Sequence, residues 1–210
     1  VIAVSGTHGK TSTTAMITWM LESAGLKPGF LIAGRPKDFS ISARIGKDEF
    51  FVIEADEYDT AFFDKRAKFV HYSPEVLVIN NLEFDHADIY SNLEEIQKQF
   101  HNLIRAMPSY GCLICPDKNK NIEQVLELGV WSEVNKFGVD KKNSNYFEAI
   151  KEDYSSIRFH LDKDFEDINW NLTGEYNVSN AMAALLVLNH LNVPLSSSAK
   201  ALETFSGVSR

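Results

Sequence analysis

Val1-Ile-Ala-Val-Ser-Gly-Thr-His-Gly-Lys-Thr11 joins an apolar strand to a glycine-rich turn and the start of an amphipathic helix. Glycines let the main chain wrap closely, so that successive N–H groups can point at phosphate oxygens. The helix N-terminus adds unpaired N–H groups and a favourable dipole. In such a loop Lys10 would reach the terminal phosphates, and the hydroxyl of Thr11 would bind Mg²⁺. The residues predicted to bind the nucleotide here are Gly6, Thr7, His8, Gly9, Lys10, Thr11 and Ser12.

This loop departs from the usual phosphate-loop pattern, G-x-x-x-x-G-K-[ST]. That pattern would place a glycine at position 4, where this chain has Val4. The alternative interpretation is an ordinary glycine-rich turn between a strand and a helix, with an incidental lysine. The strand before the turn, the helix after it and the adjacent Lys10 and Thr11 favour nucleotide phosphate.

The rest of the sequence alternates short apolar runs with longer helical patterns, which is typical of a parallel sheet with crossover helices. The predicted strands are Val1–Val4, Phe50–Ile53, Val76–Ile79, Cys112–Cys115 and, more weakly, Phe69–His71. The predicted helices are Thr11–Ala24, Leu93–Met107, Ile122–Leu128, Asn177–Leu191 and Ser197–Phe205. Residues 146–172 predict a small antiparallel meander, with strands Tyr146–Ile150, Ser156–Leu161 and Ile168–Leu172. The predicted fold class is therefore α/β, a mostly parallel sheet flanked by helices with a small antiparallel sheet.

Composition excludes several classes of partner. The 210 residues carry a net charge of −8, which argues against binding to nucleic acid or to a membrane surface, since both are polyanions. The longest apolar run near the end, Ala181–Leu188, is far shorter than the roughly 20 residues of a membrane span.

Cys112 and Cys115 form a C-x-x-C pair, which could indicate a redox or zinc site. Because residues three apart in a strand point to opposite faces, we expect two core thiols in a reducing cytoplasm instead.

Two further strands run directly into acidic clusters. Phe50–Ile53 is followed by Glu54-Ala-Asp-Glu57, and Val76–Ile79 is followed by Asn80-Asn-Leu-Glu-Phe-Asp-His-Ala-Asp88. Ligands of an open parallel sheet bind beyond the carboxyl ends of its strands, where the phosphate loop also lies. Glu54, the first polar residue after its strand, is the best-placed candidate for Mg²⁺, which prefers oxygen ligands. Solvated helix-capping loops are the plain alternative. A dinuclear metal hydrolase is a second one, although the further histidines that it needs are scattered.

Together these stretches resemble the Mur ligase family, the ATP-dependent amide-forming enzymes of peptidoglycan metabolism. The compact loop Gly6–Thr14 is similar to the phosphate loop of that family. Glu54–Glu57 and Glu83-Phe-Asp-His86 resemble its two segments associated with Mg²⁺. Glu175-Tyr-Asn-Val-Ser-Asn180 resembles the helix start that meets the adenine end of ATP, and its functional positions are Asn177 and Asn180. The resemblance covers the whole chain.

Within the family, Glu57–Arg66, Lys68–Tyr72 and Asn80–Asp88 most resemble the branch that joins a murein tripeptide to UDP-N-acetylmuramate in peptidoglycan recycling. The implied substrates are UDP-N-acetylmuramate and L-alanyl-γ-D-glutamyl-meso-diaminopimelate. The branch that adds L-alanine to UDP-N-acetylmuramate is the alternative. The carbamoylated lysine of some members would fall near His101, so none is assigned. The invariant arginine of the family corresponds to the position after Arg210.

The resemblance implies a mechanism in which ATP phosphorylates a carboxylate and an amine attacks the resulting acyl phosphate. The implied catalytic residues are Lys10, which would neutralise the transferring phosphoryl group, Glu54 and His86. Thr11 and Glu54 would hold one Mg²⁺, and His86 a second. Asn177 and Asn180 would position the nucleotide, although an N-cap and an exposed helix residue are the structural alternative.

The ends of the sequence predict a piece of a longer polypeptide, because it begins inside a strand without Met and ends without a polar tail. The resemblance implies that residues 1–210 are the central ATP-binding domain. A UDP-sugar domain would precede it and an acceptor domain would follow it, so this piece alone is expected to bind Mg-ATP but not to ligate. A phosphate-loop kinase or NTPase, or a nucleotide-binding regulatory module, remains the more distant alternative.

Overall fold

One large sheet lies between two layers of helices, with a small antiparallel sheet beside it. The computed structural model describes residues 1–61, 64–84 and 90–209. Its strands are β1 (Ile2–Ser5), β2 (Gly29–Leu31), β3 (Arg35–Pro36), β4 (Ala43–Arg44), β5 (Phe51–Glu54), β6 (Asp59–Ala61), β7 (Asp64–Ala67), β8 (Val76–Ile79), β9 (Cys112–Pro116), β10 (Glu133–Phe137), β11 (Asn145–Ala149), β12 (Ser156–Leu161), β13 (Asp164–Asn169) and β14 (Val208–Ser209). Its α-helices are α1 (Lys10–Ser23), α2 (Leu93–Arg105), α3 (Lys120–Glu127), α4 (Glu175–His190) and α5 (Leu195–Glu203).

The large sheet has the strand order β10-β9-β8-β1-β5-β2-β4. β1 pairs in parallel with β5 on one side and with β8 on the other, and only the edge strand β4 pairs antiparallel. After β1 the chain first completes one side of the sheet with β2, β4 and β5, and then forms the other side with β8, β9 and β10. Ligands of open α/β sheets bind beyond the carboxyl ends of the strands at such a reversal. The topology thus points to the turn that follows Ser5.

Helices cover both faces of this sheet, which explains the nearly continuous apolar character of its strands. The core on one face joins Ile2 and Val4 of β1 to buried residues of α1, α4 and α5. The core on the other face joins Ala3 of β1 to buried residues of α2 and α3. The small sheet β11-β12-β13 turns its apolar side chains, such as Phe159, into the first of these cores. The predicted fold class is confirmed.

The cysteine pair follows the alternation expected of a strand. Cys112 packs into the core on one face of the sheet and Cys115 into the core on the other. Both are free thiols. Burial raises the pKa of Cys112, and it raises the pKa of Cys115 to about 12. Because the thiolate is the reactive form, both behave as core residues, as predicted.

Each of the predicted helices forms, with ends within two residues of those expected. Gly25, with φ +85°, follows the last turn of α1 and is the stop that the sequence predicted. Among the helices that the structure describes, none is long and apolar enough to cross a membrane.

Two strand predictions are wrong. Phe69–His71 lies inside a 3-10 helix, Lys68–Tyr72, which ends at Ser73 in a left-handed conformation just before Pro74. The third strand of the meander is Asp164–Asn169 rather than Ile168–Leu172. The chain reverses early, because Asp162 adopts a positive φ of 52° and starts a tight turn directly after β12.

Candidate nucleotide-phosphate site

The N-terminus of α1 presents backbone donors without partners inside the helix. The helix begins at Lys10, after Gly9 in a left-handed conformation, and no side chain caps it. Its first intrahelical bond runs from the N–H of Thr13 to the carbonyl of Gly9, over 3.0 Å. The N–H groups of Lys10, Thr11 and Ser12 precede that bond and have no acceptor within the helix. Three adjacent free amides at the positive end of a helix dipole are an arrangement that binds anions in proteins.

Glycine is required at positions 6 and 9 both by the backbone conformation and by the close approach of neighbouring residues. The φ angles of Gly6 and Gly9 are +125° and +81°, which L side chains rarely adopt. A Cβ at Gly6 would lie 2.9 Å from the carbonyl oxygen of Asn81. A Cβ at Gly9 would lie 2.5 Å from Oδ1 of Asn180 and 2.9 Å from Nδ2 of Asn80. The two glycines therefore let the loop pack directly against the segment after β8 and against α4.

The side chain of Lys10 folds back over the loop. Its Nζ donates a hydrogen bond of 2.7 Å to the carbonyl of Gly6 and lies 3.4 Å from Oδ1 of Asp56. The lysine side chain is only 14% exposed, whereas that of Asp56 is 35% exposed. The ammonium is thus held over the loop, and an entering phosphate can replace one of its present partners.

Glu54 ends β5 beside the loop and contacts the helix start directly. It pairs in register with Val4 of β1. Its Oε2 accepts a hydrogen bond of 3.0 Å from the hydroxyl of Thr11, and its Oε1 accepts one of 2.7 Å from the N–H of Ala33. Glu54 is 8% exposed. Burial raises the pKa of its carboxyl group, against the opposing effect of these two hydrogen bonds.

The hydroxyl of Thr11 and the carboxylate of Glu54 are oxygen donors of the kind that Mg²⁺ binds. Magnesium prefers oxygen ligands, keeps several waters, and usually takes only one or two carboxylates together with phosphate oxygens. Burial raises the pKa of the Glu54 carboxyl group. A cation in place of its two neutral hydrogen-bond donors would stabilise the charged carboxylate more strongly. Within the described ranges, no three His, Cys, Asp or Glu residues come together to form a metal cluster.

A small cavity of about 130 Å³ opens next to these groups. It is lined by Gly9, Thr11, Ser12, Gly34, Val208 and Ser209. β14 reaches this place because it pairs with β3, in the loop that follows β2. The turn at Ala33 and Gly34, which the sequence analysis did not identify, therefore closes one side of the site.

The two asparagines predicted from the helix start have different surroundings. Asn180 is buried and lies against Gly9, with its Oδ1 3.4 Å from Nδ2 of Asn80. Asn177 is half-buried, and its Nδ2 donates to the carbonyl of Thr173 over 2.8 Å. Asn177 is not the N-cap of α4, because Gly174 holds that position. α4 therefore brings Asn180 to the phosphate loop itself.

One backbone N–H group of the loop does not face the phosphate position that the sequence predicted. The N–H of His8 points to the side chain of Asn81, not toward the open end of α1. The hydroxyl of Thr7 accepts a hydrogen bond of 3.0 Å from the N–H of Glu83. His86, predicted as a catalytic residue and metal ligand, lies outside the described residues, as do Asp85 and Asp88.

Fold and site together define a phosphate-loop α/β domain, in which an uncapped helix start faces a buried carboxylate on the neighbouring strand. The chain belongs to the Mur ligase middle domain family, whose sequence model matches residues 4–188. The predicted resemblance to this family is confirmed.

Individual relatives are similar over the entire chain. The UDP-N-acetylmuramate–L-alanyl-γ-D-glutamyl-meso-2,6-diaminoheptandioate ligase of Haemophilus influenzae is 47% identical, and the chain spans 46% of its length. The UDP-N-acetylmuramate–L-alanine ligase of Nitrosomonas eutropha is 35% identical, and the chain spans 44% of it. The crystal structure of UDP-N-acetylmuramate:L-alanyl-γ-D-glutamyl-meso-diaminopimelate ligase from Neisseria meningitides is 44% identical, with a TM-score of 0.92. That comparison covers all of this chain and 67% of the other. The chain thus spans about half the length of the curated relatives it matches.

Proposed function

We propose that this chain is the central, ATP-binding domain of a murein peptide ligase. The enzyme would join L-alanyl-γ-D-glutamyl-meso-diaminopimelate to UDP-N-acetylmuramate, in peptidoglycan recycling in the cytoplasm. The names of the Haemophilus and Neisseria relatives support this choice of substrates. Their greater length supports the proposal that regions for the UDP-sugar and for the acceptor peptide flank residues 1–210.

One observation carries the proposal: the buried carboxylate of Glu54 contacts the hydroxyl of Thr11 at the uncapped start of α1. The N–H groups of residues 10–12 would bind the β- and γ-phosphates of ATP. Thr11 and Glu54 would hold Mg²⁺, which when bound would neutralise charge on those phosphates. His86 remains our candidate for a second metal site, on the resemblance alone.

In the proposed reaction, an oxygen of the muramyl carboxylate attacks the γ-phosphorus of ATP, and the bond to ADP breaks. The amine of the tripeptide then attacks the acyl phosphate carbon, and inorganic phosphate leaves. Lys10 would follow the transferring phosphoryl group, exchanging the carbonyl of Gly6 for a phosphate oxygen. Such a site accelerates the reaction mainly by positioning and by stabilising charge. Asn177 and Asn180 would orient the nucleotide from α4.

The test uses the complete natural polypeptide that contains residues 1–210, with ATP, Mg²⁺ and UDP-N-acetylmuramate. Parallel reactions receive the tripeptide, L-alanine or no acceptor, and products are identified by mass spectrometry. We expect UDP-muramyl-tripeptide, with one ADP and one phosphate per product, and no product from the Lys10→Ala variant.

Other outcomes would assign another function. Product from L-alanine alone would indicate the L-alanine ligase. Phosphate release without any acceptor would indicate an NTPase, and transfer of phosphate to a stable product would indicate a kinase. Nucleotide binding without turnover would indicate a regulatory module.

A further inference from the structure

The side-chain amide of Asn81 forms a two-bond bridge to the main chain of His8. Its Oδ1 accepts a hydrogen bond of 2.8 Å from the N–H of His8. Its Nδ2 donates one of 3.2 Å to the carbonyl of the same residue. The primary amide thus pairs with one residue as a neighbouring strand would. Both bonds converge on the middle of the phosphate loop, between Gly6 and Gly9.

Neighbours of Asn81 hold the loop on either side of this bridge. The N–H of Asn80 donates to the carbonyl of Ser5 over 3.0 Å, which continues the pairing of β1 with β8. The N–H of Glu83 donates to the hydroxyl of Thr7. The loop therefore lies along residues 80–83. Within that segment, the side chain of Asn81 binds both the N–H and the carbonyl of one loop residue.

The buried amide of Asn80 completes the packing beneath the loop. Its Nδ2 lies 3.0 Å from Oγ1 of Thr13 in α1, 3.3 Å from the carbonyl of His8 and 3.4 Å from Oδ1 of Asn180 in α4. Asn80 is 7% exposed, so its replacement would disturb the core itself. Asn81 is half-buried at the rim. It can be truncated without opening a core cavity.

We propose that Asn81 is a positioning residue for nucleotide phosphate. Its bridge to His8 holds the loop in the one conformation that leaves the N–H groups of Lys10, Thr11 and Ser12 open. A loop that contains two glycines with positive φ can adopt many other conformations. Without the bridge these conformations become populated, and the fraction of molecules that can bind phosphate falls. Apparent affinity falls in proportion to that fraction. This inference rests on the proposed function only in naming ATP as the ligand.

The test compares Asn81→Ala with wild type and with a matched control, Asn143→Ala, in the 210-residue chain. Asn143 likewise uses its side-chain amide for a long-range contact, in a single hydrogen bond of 2.6 Å from Nδ2 to Oδ2 of Asp117, far from the loop in sequence. Three quantities are measured: hydrogen exchange of the His8 amide by NMR, the affinity for Mg-ATP, and the affinity for adenosine, which has no phosphate. Thermal melts of the three proteins check folding.

We expect Asn81→Ala to speed exchange at His8 at least tenfold and to weaken Mg-ATP binding about tenfold. Adenosine affinity should stay at the wild-type value, and Asn143→Ala should match wild type in all three measurements. Unchanged exchange and unchanged Mg-ATP affinity would overturn the inference, as would equal losses for Mg-ATP and adenosine, which indicate a general structural role. If wild type binds no Mg-ATP but His8 exchange still depends on Asn81, the loop-positioning role stands and the proposed function fails.

Discussion

Replacement of Gly9 by alanine should damage the phosphate loop in two separable ways. The first is conformational, because φ is +81° and a left-handed conformation costs a residue with a Cβ roughly 1–2 kcal/mol. The second is steric, because the new Cβ would lie 2.5 Å from Oδ1 of Asn180 and 2.9 Å from Nδ2 of Asn80. Overpacking of this kind typically costs about 1–3 kcal/mol.

Gly25 offers a control that carries the first cost without the second. Its φ is +85°, close to that of Gly9, and a Cβ there would meet nothing within 4 Å. Gly25→Ala should therefore lose roughly 1–2 kcal/mol of unfolding free energy, and Gly9→Ala about 2–5 kcal/mol. Loss of backbone freedom in the unfolded chain affects both variants alike and cancels in the comparison.

Equilibrium unfolding in urea gives the two free energies, and calorimetric titration with Mg-ATP gives the affinities. We expect Gly9→Ala to be the less stable variant by about 1–3 kcal/mol and to lose Mg-ATP binding, with Gly25→Ala binding like wild type. Equal stability of the two variants, together with normal Mg-ATP binding by Gly9→Ala, would refute the argument that close packing of Gly9 shapes the site.

Three further predictions concern the charged and sulfur-containing groups. Lys10→Ala should weaken Mg-ATP binding at least tenfold while losing only about 1 kcal/mol of stability, the contribution of one hydrogen bond. Calorimetric titration measures the affinity and urea unfolding the stability, and a wild-type affinity would contradict the prediction. Glu54 has a pKa raised above its ordinary 4.5, so the stability it contributes is present below that value and is lost as pH rises through the folded pKa. In EDTA, Glu54→Gln should therefore gain stability relative to wild type from pH 4 to 8, and a difference independent of pH would argue against the buried charge. Cys112 and Cys115 should not react with a thiol reagent in the native protein and should both react in denaturant, so rapid native labelling would contradict their burial.

Much of the sheet could be predicted because its central strands are buried on both faces. β1, β5, β8 and β9 each show as an apolar run, and their order around β1 brings the acidic strand ends to the loop. β10 could not be recognised in this way. It lies at an edge of the sheet, and most of its side chains, such as Glu133, are polar and at least partly exposed.

The position of three candidate residues was predictable because each lies at the start of the helix that follows β1 or at the end of β5, and both places fall at the carboxyl edge of the parallel sheet. Lys10, Thr11 and Glu54 lie at the predicted edge, and Thr11 and Glu54 are in contact. The N–H of Ala33, which binds Glu54, carries no sequence signal, because every residue except proline has such a group. The contacts of Asn80 and Asn180 span 100 residues, and only the packing of α4 against α1 reveals them.

A crystal structure of the chain with Mg²⁺ and a non-hydrolysable ATP analogue would test the phosphate site directly. We predict the β- and γ-phosphates within hydrogen-bonding distance of the N–H groups of Lys10, Thr11 and Ser12. Mg²⁺ should lie between the phosphate oxygens, the hydroxyl of Thr11 and the carboxylate of Glu54, with Nζ of Lys10 moved from the carbonyl of Gly6 to the γ-phosphate. A nucleotide bound elsewhere on the chain, or bound here with Glu54 still hydrogen-bonded only to Thr11 and Ala33, would contradict this assignment.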